Sequence, residues 1–106
     1  MQLNLKNHRA NVFEKNSFDS SKTSIVFLPG AGMDHRIISM FSLESLYDKY
    51  NILGIDLPGH GYTSGPIVSS IRDHTNFCID VFNETDIKNP IVIGHSWGGL
   101  VALDLS

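Results

Sequence analysis

Residues 90–103 read Pro-Ile-Val-Ile-Gly-His-Ser-Trp-Gly-Gly-Leu-Val-Ala-Leu, and this stretch decides the fold. Ile91-Val92-Ile93 is β-branched and apolar, so Pro90–Gly94 reads as a strand. Gly98 to Leu103 reads as the start of a helix. Between the two lies Gly94-His95-Ser96-Trp97-Gly98, a G-x-S-x-G pattern in a strand-to-helix context. A serine on so sharp a turn must take a strained backbone conformation, which thrusts its Oγ clear of its own chain. The flanking backbone then approaches its neighbours too closely for a Cβ. That requirement accounts for Gly94 and Gly98, with Gly99 completing the small-residue helix start. The new helix points unpaired N–H groups at the place where negative charge would develop, and the Trp97 N–H is one such donor.

Working back along the chain, Thr23–Leu28 (TSIVFL) is a doubly apolar strand, stopped by Pro29-Gly30. Gly30-Ala31-Gly32 comes next as a tight loop of small residues, and the Ala31 N–H is the expected second oxyanion donor. Asp34 is placed to cap a helix. Ile37, Met40, Phe41 and then Leu43, Leu46, Tyr47 and Tyr50 recur three and four residues apart, which predicts a buried helical stripe. Asn51–Asp56 is the next strand, ending in a loop rich in Gly, Pro and Ser from Pro58 to Pro66. Ser70, with Asp73 three residues on, opens another helix whose expected apolar face is Ile71, Cys78, Ile79 and Phe82. Residues 2–18 alternate loosely and read as a hairpin. The whole chain, 1–106, is thus one α/β unit: a hairpin at 2–18 and a sheet-and-helix core at 23–106. Repeated strand–helix units of this kind form a mostly parallel sheet with helices on both faces. Ligands bind such sheets at the carboxyl ends of the strands. The three chemically unusual loops, Pro29–Asp34, Asp56–Ser64 and His95–Gly99, all fall there.

Taken in order, LPGAGMDH, DLPGHGYTSGP and GHSWGG resemble the amino-terminal half of an α/β-hydrolase of the AB hydrolase-1 type. The resemblance covers nearly all 106 residues. It implies a serine hydrolase acting on a carboxylic ester, thioester or related acyl compound. Ser96 would be the nucleophile, and Gly30-Ala31-Gly32 would carry an oxyanion donor. Serine at this turn disfavours the relatives that place aspartate there, such as haloalkane dehalogenases and epoxide hydrolases. The family's triad continues with an acid and then a histidine. After Ser96 the sequence contains one acid, Asp104, and no histidine. The expectation is therefore an amino-terminal fragment without lid or carboxyl-terminal half, inactive by itself. His35, His60 and His95 are the local histidines near the strand ends, and no carboxylate is expected to orient any of them.

Composition sets the outer bounds. Eight Lys and Arg against eleven Asp and Glu leave a net charge of −3, too mild and scattered for a nucleic-acid surface. No apolar run approaches the roughly 20 residues of a membrane span, and the first residues lack a signal core. The single cysteine, Cys78, fits a reducing, cytoplasmic setting and reads as core. Asp56 is expected to brace its loop; His8 and His74 are expected at the surface; Trp97 lines an acyl pocket or packs under a lid. No cofactor or metal is called for. The expected partner is a small acyl substrate. Two alternatives remain. Gly30-x-Gly32 with Asp56 further on outlines a dinucleotide-binding half-domain, but His35 stands at the third glycine and GHSWGG goes unexplained. A non-catalytic truncated product would leave the IVIG strand as an open apolar edge, which invites aggregation.

Overall fold

A computed structural model describes residues 1–106. Five strands form one sheet: β1 (Gln2–Asn4), β2 (Arg9–Glu14), β3 (Thr23–Leu28), β4 (Tyr50–Ile55) and β5 (Ile91–Gly94), in the order β1-β2-β4-β3-β5. The first two form a hairpin, with Leu3 opposite Ala10. β2 runs antiparallel to β4, whereas β4, β3 and β5 are mutually parallel. Two α-helices complete the chain, α1 (Ile71–Asn83) and α2 (Trp97–Leu105).

The period of two along the strands divides the core. Val26 and Leu28 of β3, with Leu53 and Ile55 of β4, face α1 and α2, where Phe77, Cys78, Val81 and Val101 are buried. Ile25, Phe27 and Ile52 face the other way and bury Ile38. A strand apolar on both faces is what a sheet covered on both sides requires.

The second face is covered differently from the expectation. The segment between β3 and β4 is two short 3-10 helices, His35–Met40 and Glu44–Leu46, with Phe41 extended between them (φ −115°, ψ 143°). Its deeply buried residues are His35 and Ile38, three apart, matching the three-residue turn of a 3-10 helix. Ile38 sits where a Cβ on Gly54 of β4 would collide with its Cδ1 at 2.7 Å, so the glycine admits it. Met40 and Phe41 of the expected stripe are 76% and 50% exposed. Asp34 does cap the first turn, accepting from the Arg36 N–H at 2.9 Å. On α1, Ser70 caps the Asp73 N–H at 3.0 Å as expected, but Ile79 points to solvent and His74, Thr75 and Phe77 take the buried face. Cys78 is core, and burial pushes its thiol up to about 12, leaving it inert as a nucleophile.

Candidate active site

β3, β4 and β5 are parallel neighbours, so the loops at their carboxyl ends gather at one edge of the sheet. β5 ends at Gly94 and α2 begins at Trp97. Two residues must reverse the chain, and Ser96 absorbs the turn at φ 54°, ψ −115°, a left-handed conformation rare for a side chain with a Cβ. The reversal presses backbone on backbone. A Cβ on Gly94 would overlap the Gly98 carbonyl, and one on Gly98 would overlap the Leu28 and Pro29 carbonyls. Both glycines are thus steric necessities. Ser96 itself is exposed, and its hydroxyl has no hydrogen-bond partner in the chain.

The loop after β3 lies against this turn. A Cβ at Gly30 would stand 3.3 Å from the Ser96 Cβ and 3.0 Å from His95 Nδ1. The His95 N–H bonds the Leu28 carbonyl at 3.0 Å, tying the elbow to β3. Some backbone donors on the two loops are committed. Gly32 N–H is bonded to His60 Nε2 at 2.9 Å, Met33 N–H to the Gly30 carbonyl at 3.0 Å, and Gly98 N–H to the His95 carbonyl at 3.0 Å. The N–H groups of Ala31 and Trp97, the two donors expected from the sequence, have no partner within the chain, and neither do those of Gly30 and Ser96.

The loop after β4 is organised by Asp56, which is fully buried. Its carboxylate accepts from His35 N–H (2.7 Å), His35 Nδ1 (2.8 Å to Oδ2), Asn11 Nδ2 (2.9 Å) and Tyr62 N–H (2.9 Å). The bracing role expected of Asp56 holds, and it extends well beyond its own loop. The expectation that no carboxylate orients a local histidine fails at His35. That ring is stacked on Phe13, 5.0 Å between centroids, and held by Asp56. A buried acid needs this many donors, since desolvation must be offset by hydrogen bonds to the charged form. Asp34, His35 and Asp56 offer ligand atoms within 4.8 Å of one another. Each is already committed: Asp56 and His35 to one another, and Asp34 to the Arg36 guanidinium, which holds its carboxyl down to about 2.

The remaining histidines are also placed. His60 bonds Gly32 N–H and the Pro58 carbonyl, not Ser96. His8 is half-buried, 2.7 Å from the Pro66 carbonyl and edge-on to Phe77; His74 is buried and bonds the Ser70 carbonyl at 2.8 Å. His8 thus keeps the surface position expected, whereas His74 does not. Trp97 is half-buried with its ring edge-to-face on His74, 5.5 Å between centroids, and packs against the core between sheet and α-helices. A cavity of about 300 Å³ opens beside Gly32, between Met33 and Met40. The larger cavity, about 490 Å³, is lined by Met1, Phe18 and residues at and just after the end of α1, none of them in the three loops. The dinucleotide outline lacks its helix. After Gly30-x-Gly32 comes a six-residue 3-10 segment, not an α-helix whose first-turn N–H groups could hold a pyrophosphate.

The profile of the alpha/beta hydrolase family matches residues 25–106. The chain belongs to the α/β-hydrolase family. It is 34% identical over 84 residues to the dihydrolipoyllysine-residue acetyltransferase component of the acetoin cleaving system of Cupriavidus necator, a match covering 78% of this chain and 22% of that protein. Human epoxide hydrolase 4 is 27% identical over 67 residues, covering 58% of this chain and 18% of that protein. Among solved structures, a bacterial membrane phospholipase A superposes with a TM-score of 0.87 at 20% identity, over 99% of this chain and 34% of that one. This α/β-hydrolase chain thus spans about a fifth of the length of the two curated relatives and about a third of that structure. No helix is long and apolar enough to cross a membrane.

Proposed function

We propose that this chain carries the nucleophile and the oxyanion-binding half of a serine hydrolase site for a carboxylic ester, thioester or related acyl compound. Ser96 Oγ attacks the acyl carbon, and the carbonyl oxygen becomes an oxyanion held by the N–H groups of Ala31 and Trp97. Each such donor is worth on the order of 3 kcal/mol in the transition state, because it is oriented before charge develops. Collapse of the tetrahedral intermediate expels the alcohol or thiol, which takes up a proton. Water then hydrolyses the acyl-Ser96 ester. The proton leaving Ser96 needs a base. The imidazoles of His8, His35, His60 and His74 are all engaged elsewhere, and His95, exposed on the turn itself, has no carboxylate to orient its ring, which lies toward Gly30. The triad acid and histidine therefore come from residues outside these 106, and this stretch alone turns over little or no substrate.

The observation that carries the reading is the pairing of a strained, exposed, unpartnered serine with uncommitted amides at Ala31 and Trp97 on the loops beside it. Serine rather than aspartate at this turn favours acyl esters over the epoxides named for the human relative. A fluorophosphonate probe on the protein as its gene encodes it should label Ser96, and Ser96→Ala should remove the label. Labelling elsewhere, or none, rejects the assignment.

A further inference from the structure

We infer that His60 is a positioning residue for the oxyanion loop, acting through the amide of Gly32. The inference rests on the Ser96 reading and deepens it. His60 sits on the loop after β4 and reaches across to the loop after β3. Its own main chain is fixed at both ends of a turn: its N–H donates to the Leu57 carbonyl at 2.9 Å, and its carbonyl accepts from the Thr63 N–H at 3.3 Å. The two ring contacts determine the proton's location. The Pro58 carbonyl, 3.0 Å from Nδ1, can only accept, so Nδ1 carries the hydrogen. The Gly32 N–H, 2.9 Å from Nε2, can only donate, so Nε2 presents its lone pair. Both bonds exist together in one species alone, the neutral Nδ1–H tautomer.

The choice of Gly32 as the tethered amide matters. Gly32 lies at φ +78°, and a Cβ there would meet nothing within 4 Å. The turn is closed locally by the Met33 N–H on the Gly30 carbonyl at 3.0 Å, and the hydrogen bond from Gly32 to His60 ties that turn to the loop after β4. Orienting the Ala31–Gly32 peptide limits ψ of Ala31 and so steadies the turn that presents the Ala31 N–H, a free donor on the loop beside Ser96. Asp56 secures the far end of the same loop through His35, while His60 secures its tip. A donor misplaced by a fraction of an ångström loses much of its value to a transition state.

The test uses the protein as its gene encodes it. Wild type, His60→Gln and His60→Phe are compared for the second-order rate of fluorophosphonate labelling at Ser96 and for the midpoint of thermal unfolding. Glutamine keeps an acceptor at the ε position, whereas phenylalanine keeps the ring and removes it. The expected result is a rate about 10- to 100-fold lower for His60→Phe, restored to within about threefold by His60→Gln. A His60→Phe rate equal to wild type overturns the inference, as does a His60→Gln rate as low as that of His60→Phe, which would assign the effect to the loss of the histidine ring itself. If His60→Phe does not fold, ¹⁵N NMR of the wild type decides: a protected Gly32 amide with an Nδ1–H imidazole supports the inference, and an unprotected amide or the Nε2–H tautomer overturns it. An unlabelled wild type with a protected Gly32 amide rejects the Ser96 reading, and the positioning role falls with it. A labelled wild type with an unprotected amide rejects the positioning role alone.

Discussion

Asp56 and Ser96 are both polar residues just beyond the carboxyl end of a parallel strand, and they could hardly be treated more differently. Asp56 is wholly buried and receives hydrogen bonds from β2, from the loop after β3 and from its own loop. Ser96 is exposed, has no partner for its hydroxyl, and holds a backbone conformation that disfavours it. One residue is satisfied and stabilising, the other unsatisfied and strained. The contrast separates the scaffold from the site it supports, since strain and free hydrogen-bonding capacity persist only where the surrounding structure imposes them.

Either half of this contrast can be disrupted. Asp56→Ala leaves buried donors on Asn11, His35 and Tyr62 without an acceptor and should lower stability by about 4 kcal/mol, read by urea denaturation. A loss under about 1 kcal/mol would mean the hub is dispensable. Gly98→Ala drives a methyl group into the Leu28 and Pro29 carbonyls, backbone that cannot step aside, and should cost about 3 kcal/mol by the same measurement. Ser96→Gly relieves the positive φ and should raise stability by about 1 kcal/mol while abolishing fluorophosphonate labelling. The smallest effect concerns Asp34. Arg36 holds its carboxyl down to about 2 from an ordinary 3.8. The depressed value supplies stability that is fully present above 3.8 and is lost as pH falls through about 2. Because Arg36 is 68% exposed, Asp34→Asn should remove only about 0.5 kcal/mol at neutral pH, together with that acid limb of the stability profile.

A second contrast runs across the sheet. β3 is paired on both sides, whereas β5 is paired only with β3, and Ile91 and Ile93 are 46% and 44% exposed. An apolar edge strand of this kind templates further pairing. Expressed alone, the 106 residues should sediment as a concentration-dependent series of aggregates, and a monodisperse monomer would contradict that.

The strand run TSIVFL, the strand IVIG, the cap at Ser70 and the elbow glycines are legible in the chain because each rests on local chemistry: β-branched runs, a hydroxyl three residues before an amide, a Cβ that has no room. The segment between β3 and β4 is not, because apolar residues three and four apart fit an α-helix and a pair of 3-10 turns equally well. Only the surface of β4, opened at Gly54, selects the tighter turn that buries His35 and Ile38. The buried face of α1 is displaced for a similar reason, since His74 and Thr75 are admitted to the interior by partners one turn back, the Ser70 and Ile71 carbonyls.

The order of amino acids is enough to set the strands, α1 and α2, and the turn on which Ser96 stands, because periodicity and steric exclusion act over a few residues. Which polar groups find partners is settled by the tertiary fold. Asp56 finds its donors in Asn11, 45 residues away, and His35, 21 residues away, while His60 finds Gly32 at a separation of 28. Hydrogen bonds of that span depend on how strands are laid side by side. Until they are, a bracing acid, a positioning imidazole and a free amide look alike in the chain.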